Sequence, residues 1–294
     1  MTAPDFTTLI ADDWRDYALI DSGAGRKLER FGPYTLVRPE PLALWAPRLD
    51  EAEWARADAV FSAHSEDDES GRWRMARPLP ESWAMQWDGL SFRARTTPFR
   101  HLAVFPEHSV HWRFALARAR GDGETLNLFG YTGLASLACA RAGGRVTHVD
   151  ASKRAIAFAR ENQEAAGLRE APIRWIVDDA HAFVKREIRR GRRYQGIILD
   201  PPKYGRGPKG ETWRIEEKLS ELLCDCGALL DHDGRDRFLI LTVYAVRLTP
   251  LALAQAAREA LTLPGDWTFG EMALPHARDE RLLPTAIFAR WRSP

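Results

Sequence analysis

From Gly121 onward the chain repeats one pattern five times, a short apolar run followed by a longer helical stretch. TLNLF precedes GLASLACARAG, RVTHVD precedes SKRAIAFARENQEAAG, IRWIV precedes DAHAFVKREIRR, YQGIILD precedes ETWRIEEKLSELLCDCGALL, and RFLILTVY precedes PLALAQAAREAL. Strands separated by helices pair in parallel, and the right-handed sense of such crossovers puts helices on both faces of the sheet. The pattern predicts an α/β fold with a doubly wound, Rossmann-like sheet. Its end breaks the rhythm: residues 267–275 and 284–291 read as two strands joined by the polar turn HARDER, a closing antiparallel hairpin.

The first 98 residues have another texture. Short turn-bounded segments (YALIDSG, RKLERFG, PYTLVRPEP) alternate apolar and polar residues, and seven of the 11 tryptophans fall within the first 112 residues. This predicts a small β-rich domain over residues 1–98 for substrate contact, its tryptophans filling a small core, and a catalytic domain over residues 99–294. The acidic stretch at residues 62–70, SAHSEDDES, reads as a loop. The first 98 residues carry 12 Lys and Arg against 17 Asp and Glu, while the whole chain nets +1, so the second domain is the better candidate for an anionic partner. No apolar run reaches the roughly 18 to 20 residues that cross a bilayer, and the acidic start MTAPDFTTLIADDWRD differs from a secretion signal, so the expected location is cytoplasmic, with no membrane partner. Three cysteines, Cys139, Cys224 and Cys226, cannot pair completely and have no metal-ligand spacing; all three are expected in the core, and no metal is expected.

Four motifs stand at four successive strand ends. The first is Asn127-Leu128-Phe129-Gly130-Tyr131-Thr132-Gly133, where glycines let a ligand approach the backbone closely. It is not the Gly-x-Gly-x-x-Gly that cradles a pyrophosphate. The second strand ends in Asp150, 20 residues after Gly130, where a carboxylate accepts ribose hydroxyls and repels a 2′-phosphate. The third ends at Asp178-Asp179-Ala180, suited to an adenine amino group, and the fourth at Asp200-Pro201-Pro202. Each acid alone also fits a helix N-cap. Together they converge on the crevice where open α/β sheets bind ligands, and an adenosine compound with a sulfonium and no phosphate suits that acidic crevice better than NAD does.

The series LNLFGYTG, HVDASKRA, DDAHAF and ILDPPKYGRG, over about residues 99–245, resembles the class I S-adenosylmethionine-dependent methyltransferases of the bacterial family related to the large-subunit ribosomal RNA cytosine-5 methyltransferases. The upstream DSGAGRKLERFGPYTLVRPEP resembles an alphaproteobacterial subgroup. The resemblance implies that Phe129, Gly130, Tyr131, Thr132 and Gly133 wrap the methionine part of the cofactor. It also implies that Asp150 meets the ribose and Asp179 the adenine, that Asp200 faces the amino group and the target base, and that Asn127, Ala151, Ser152 and Ala180 are further cofactor contacts. Phe105 and Glu107, in the segment FPEH, stand where the family has a further cofactor contact. The closing hairpin fits a methyltransferase sheet, and the implied substrate is RNA, in particular a ribosomal RNA base.

The sequence departs from the family at one chemical point. Cytosine C5 is a weak nucleophile, so its methylation needs a cysteine thiolate added to C6, and neither LTVY nor DPPKY contains one. Asp200-Pro201-Pro202 suits methylation of an exocyclic nitrogen instead, with a carboxylate and a rigid carbonyl accepting the amine N–H groups. Lys203 intervenes before Tyr204, so Tyr204 could stack on a flipped-out base while Lys203 meets a phosphate or solvent. The loop at residues 203–210 is basic and glycine-rich, placed to overhang the crevice with Lys203, Arg206 and Lys209. The denser run at 185–193, KREIRRGRR, precedes the fourth strand and reads as a solvated helix end on the opposite edge. The competing readings are a small-molecule or protein methyltransferase, a non-catalytic RNA-binding module and, opposed by the missing third glycine, an NAD-linked oxidoreductase.

Overall fold

A computed structural model describes residues 5–63, 70–244 and 248–294. Most of the acidic stretch at 62–70 therefore lies outside the described residues. Strand β1 (Phe6–Ile10) comes first, followed by the meander β2 (Tyr17–Gly23), β3 (Arg26–Phe31) and β4 (Tyr34–Pro39). Helix α1 (Glu51–Trp54) then leads to β5 (Ala59–Ala63), β6 (Gly71–Met75), β7 (Trp83–Trp87) and β8 (Leu90–Ala94). A 3-10 turn, Pro106–His108, runs into α2 (Ser109–Leu116). The expected alternation follows: β9 (Glu124–Leu128), α3 (Leu134–Arg141), β10 (Arg145–Asp150), α4 (Lys153–Ala165), β11 (Ile173–Val177), α5 (Ala180–Arg189) and β12 (Gly196–Leu199). After it come β13 (Tyr204–Arg206), β14 (Thr212–Arg214), α6 (Ile215–Leu229), β15 (Phe238–Val243), α7 (Pro250–Ala260), β16 (Asp266–Pro275) and β17 (Leu282–Arg292).

The chain forms two compact units, one of Met1–Leu9, Val110–Met272 and Ala286–Pro294, the other of Ile10–Ser109 and Ala273–Thr285. The return of Ala273–Thr285 to the β-rich unit has no local signal in the sequence. It is fixed by long-range pairing: Arg281 Nη2 donates to the buried Asp21 at 2.7 Å, and Ser22 Oγ lies 2.8 Å from His276 Nε2.

In the larger unit the sheet order is β1-β16-β17-β15-β12-β9-β10-β11. Strands β15, β12, β9, β10 and β11 are parallel, and β17 runs antiparallel to β15, which is the closing element read from the sequence. GIIL of β12 and FLILTV of β15 are buried at every position, as strands covered on both faces must be. Leu126, Leu128, Leu239 and Leu241 pack with Leu222, Leu223 and Ala254 from α6 and α7, while Ile198, Phe238 and Ile240 pack with Ala115 and Cys139 from α2 and α3. No helix among the described residues is long and apolar enough to cross a membrane.

The smaller unit is a five-stranded sheet, β2-β3-β4-β5-β6, with a separate β7-β8 hairpin. Its tryptophans do fill the core: Trp54, Trp83 and Trp87 are buried. Each satisfies its indole N–H, on Asp21, the Phe31 carbonyl and Asp13 respectively.

Candidate active site

Between β9 and α3 the backbone turns through left-handed angles at Phe129 (φ 56°), Tyr131 (φ 48°) and Gly133 (φ 86°). Side-chain-bearing residues rarely adopt that region, and they persist there only where the surroundings over-determine the chain. What determines it lies beneath the turn. Asn127 is buried and donates to Ser136 Oγ at 2.9 Å; the same oxygen lies 2.9 Å from Nδ1 of the buried His148, whose ring is 4.6 Å from that of Trp175. A Cβ on Gly130 would come within 2.4 Å of His148 Cε1 and 2.8 Å of Asn127 Nδ2, so only glycine lets the turn settle on this layer. Burial drives the His148 pKa down to about 3, so the imidazole is neutral. Asn127 thus supports the turn from inside rather than facing its outer surface.

Asp150, at the end of β10, ties two turns together. Its Oδ2 accepts from Tyr131 N at 2.9 Å and its Oδ1 from Ser152 N at 2.8 Å, across Ala151. Burial raises its pKa, opposed by those two backbone donors. Each oxygen keeps a lone pair for a hydroxyl donor. Ser152 in turn caps α4, its Oγ accepting from Ala155 N at 3.2 Å, and the buried Thr132 holds its carbonyl against Asn162 Nδ2 at 2.9 Å.

Asp179 caps α5 through Oδ1, which accepts from Ala182 N at 2.8 Å, while no described donor meets Oδ2. The carboxylate of Asp178 is taken by Arg186. Ala180 opens α5 and is buried. Among the described residues no lysine or arginine pairs with Asp150 or Asp179, so this edge keeps the acidic character read from the sequence.

The segment after β12 differs from expectation. The sequence predicts a loop over 203–210 and a helix starting at ETWR, but β13 and β14 form a hairpin pairing Tyr204 with Arg214 and Arg206 with Thr212. The reason is Trp213. It is buried, its Nε1 donates to the Pro202 carbonyl at 2.7 Å, and its ring lies 5.0 Å from Phe129. One indole therefore fixes the Asp-Pro-Pro segment against the glycine turn. Pro201 is buried beside Asp200, Lys203 is exposed, and Tyr204 is half exposed, with Arg206 Nε donating to its hydroxyl at 3.1 Å and the Arg214 guanidinium 6.0 Å from its ring. Reading the residues singly missed Trp213. The signal was there: an aromatic two residues before an apolar helix, at the end of a glycine-rich turn.

Phe105 and Glu107 lie at the 3-10 turn of the other unit, where Glu107 is buried and its charge acts on Arg38 and Tyr17. The cysteine expectation needs one correction. Cys139 and Cys226 are buried, and burial pushes the Cys139 thiol up to about 12, but Cys224 is exposed. Two positions apart on α6 they cannot share a face. The run at 185–193 behaves as a helix end: Lys185 pairs with Glu221, Arg190 with Glu187 and Arg192 with Glu124. A cavity of about 410 Å³ opens at the amino-terminal edge of the sheet, lined by Glu124, Arg145, Arg174 and Arg192, away from the glycine turn.

The left-handed turn, two carboxylates with free lone pairs and, among the described residues, no cation paired with them fit an adenosine ligand bearing a sulfonium and no phosphate. Comparisons with known proteins agree. Residues 48–239 match the family model described as S-adenosylmethionine-dependent methyltransferase. A crystal structure of the SAM-dependent methyltransferase from Agrobacterium tumefaciens is 41% identical, with a TM-score of 0.93 over 100% of this chain and 98% of that one. A SAM-dependent methyltransferase from Streptococcus mutans shares the fold at 16% identity, with a TM-score of 0.71 over 95% of this chain and 76% of that one. Among curated proteins, ribosomal RNA large subunit methyltransferase K/L of Shewanella frigidimarina is 30% identical over 148 residues, 50% of this chain and 20% of that protein. Ribosomal RNA large subunit methyltransferase I of Klebsiella pneumoniae is 34% identical over 93 residues, 31% of this chain and 23% of that protein. The chain thus spans about a fifth of the length of the curated relatives it matches. With a family model matching residues 48–239, most of its length, the chain belongs to the S-adenosylmethionine-dependent methyltransferases.

Proposed function

We propose that the protein methylates a nitrogen of an RNA base, in particular a ribosomal RNA base, by direct displacement and without a covalent cysteine intermediate. When bound, S-adenosylmethionine supplies a methyl group on a sulfonium, an electrophile that needs no further activation. In this reading Asp150, with Ala151 and Ser152, holds the ribose, Asp179 with Ala180 the adenine, and the turn at 129–133 the methionine part. The observation that carries the proposal is the locked Asp-Pro-Pro segment. Trp213 already occupies the Pro202 carbonyl, whereas the Pro201 carbonyl meets no described donor. Asp200 and that carbonyl then accept the two N–H groups of an exocyclic amine and leave its lone pair aimed at the methyl.

A cysteine adduct has no support from thiol placement. Cys139 is buried on α3 with its thiol pushed up to about 12, and Cys224 and Cys226 lie in the second half of α6, which starts at the site edge and runs away from it. The RNA reading is supported by the names of the curated relatives and by the hairpin, where the half-exposed Tyr204 stands among Lys203, Arg206, Lys209 and Arg214 with Glu211 as the lone acid. Tyr204 stacks on the base and the cations meet phosphates. The β-rich unit contributes substrate contact, with Arg72 and Arg74 exposed on its edge strand β6. An RNA substrate places the protein in the cytoplasm.

The test is methyl transfer from labelled S-adenosylmethionine to bacterial RNA, protein and metabolite fractions, with Asp200→Ala as control. Label in RNA that vanishes in the variant is expected. Label confined to protein or metabolites replaces the RNA reading with another substrate class, and dark fractions with intact cofactor binding leave a non-catalytic module.

A further inference from the structure

On the face of the sheet covered by α2, strand β17 presents Phe288, Arg290 and Arg292 opposite Thr242, Ile240 and Phe238 of β15. The Arg290 guanidinium lies 4.1 Å from the centre of the Phe114 ring, and the guanidinium of Arg118, two residues past α2, lies 3.8 Å from the same centre. Among the described residues the Arg118 guanidinium donates only to the Phe114 carbonyl, at 3.3 Å. Nε of Arg290 is buried with no acceptor, and among the described residues neither arginine has a carboxylate within ion-pair distance. Arg292 adds a third cation, paired with Asp266 at 2.9 Å.

Such an arrangement is unfavourable as it stands. A guanidinium withdrawn from water without a counter-charge loses hydration that a ring face only partly replaces, and a like charge beside it adds to the penalty. Buried donors in native proteins are satisfied, and an orphan of this kind points to an absent partner. Burial, with the charges of Arg118 and Arg292, lowers the Arg290 pKa to about 10, the direction expected of a site that wants an anion. Among the described residues Asp236 is the one acid whose charge acts on Arg118, and Arg292 opposes it.

We propose that Arg290 and Arg118 form a binding site for a phosphate oxyanion, on the side of the sheet covered by α2 and separate from the cofactor turn. The forked guanidinium donors match phosphate oxygens. The phosphate belongs to a polynucleotide backbone or is free in solution, and the two sources are separable.

The full chain is titrated with sodium phosphate against sodium chloride at matched ionic strength, reading melting temperature and heat of binding. Arg290→Met, which replaces the unpaired charge by an apolar chain of similar reach, is expected to fold, to bind S-adenosylhomocysteine as the wild type does, and to weaken phosphate by about tenfold or more. Arg290→Lys keeps the charge without the fork and falls between the two. A phosphate affinity within about twofold of wild type in both Arg290→Met and Arg118→Met, each folded, overturns the site. Displacement of phosphate by an unstructured RNA oligonucleotide assigns it to a backbone; binding of phosphate without such competition assigns it to the free ion.

Discussion

At the scale of single residues the site is set by a collision that has been avoided. Gly130 is required because His148 and Asn127 fill the space a methyl would need. Gly130→Ala must push the turn outward or displace a ring packed on Trp175, a change that costs about 1 to 3 kcal/mol. A lower melting temperature and about tenfold weaker S-adenosylhomocysteine binding by calorimetry are expected; an unchanged affinity in the folded variant separates the turn from the cofactor. Asp150 carries a different load, since its two oxygens already hold Tyr131 and Ser152. Asp150→Asn keeps the shape but turns an amide N–H toward one of those donors, so cofactor affinity should fall by about 1.5 to 3 kcal/mol, the worth of a hydrogen bond to a charged group. Calorimetry at matched folded fraction measures it, and a fall of less than about threefold removes Asp150 from the ribose role.

At the scale of elements, Asp179 shows why a sequence motif can carry two functions at once. Its Oδ1 caps α5 while Oδ2 meets no described donor, so the capping reading and the ligand reading apply to different oxygens of one side chain. Asp179→Ala should cost about 1 kcal/mol of stability for the lost cap, and Asp179→Ser should restore that cap, yet both should weaken S-adenosylhomocysteine. Full recovery of affinity with serine would reduce Asp179 to a helix cap. The alternation of strands and helices was legible because burial on two faces writes continuous apolar runs such as GIIL and FLILTV, and amphipathic helices write a different period. The β13-β14 hairpin was not legible, because its three-residue strands leave no periodicity and its stability comes from Trp213 reaching Pro202, a tertiary contact. The layer of Asn127, Ser136 and His148 was hidden for a related reason: the three belong to three elements, with the sheet register setting His148 beside Asn127 and the packing of α3 bringing Ser136 onto both.

At the scale of the whole molecule, buried histidines tie stability to pH. His148 in the larger unit and His101 in the smaller one are both lowered from 6.5 to about 3, chiefly by burial. Between those values the unfolded chain binds a proton at each site that the folded chain does not. Stability therefore rises with pH across this window and is lost as pH falls from about 6.5 toward 3, at up to about 1.4 kcal/mol per pH unit for each histidine. The lowered carboxyls of Glu29, held by Arg38 and Lys27 against its own burial, and of Asp279, held by Arg281, add to the loss only below about 4.5, the ordinary value of a glutamate. Asp150 acts in the opposite sense, since its raised pKa lets the folded state take a proton first. Denaturant unfolding at pH 7, 6 and 5 isolates the histidines from the carboxylates. His148→Gln, which keeps a polar atom beside Ser136 but cannot ionise, should flatten the slope for the larger unit by about 1 kcal/mol per pH unit over this range and leave the smaller unit's slope intact. An unaltered slope in that variant means that His148 is already charged in the folded state, and the neutral layer under the glycine turn would have to be redrawn.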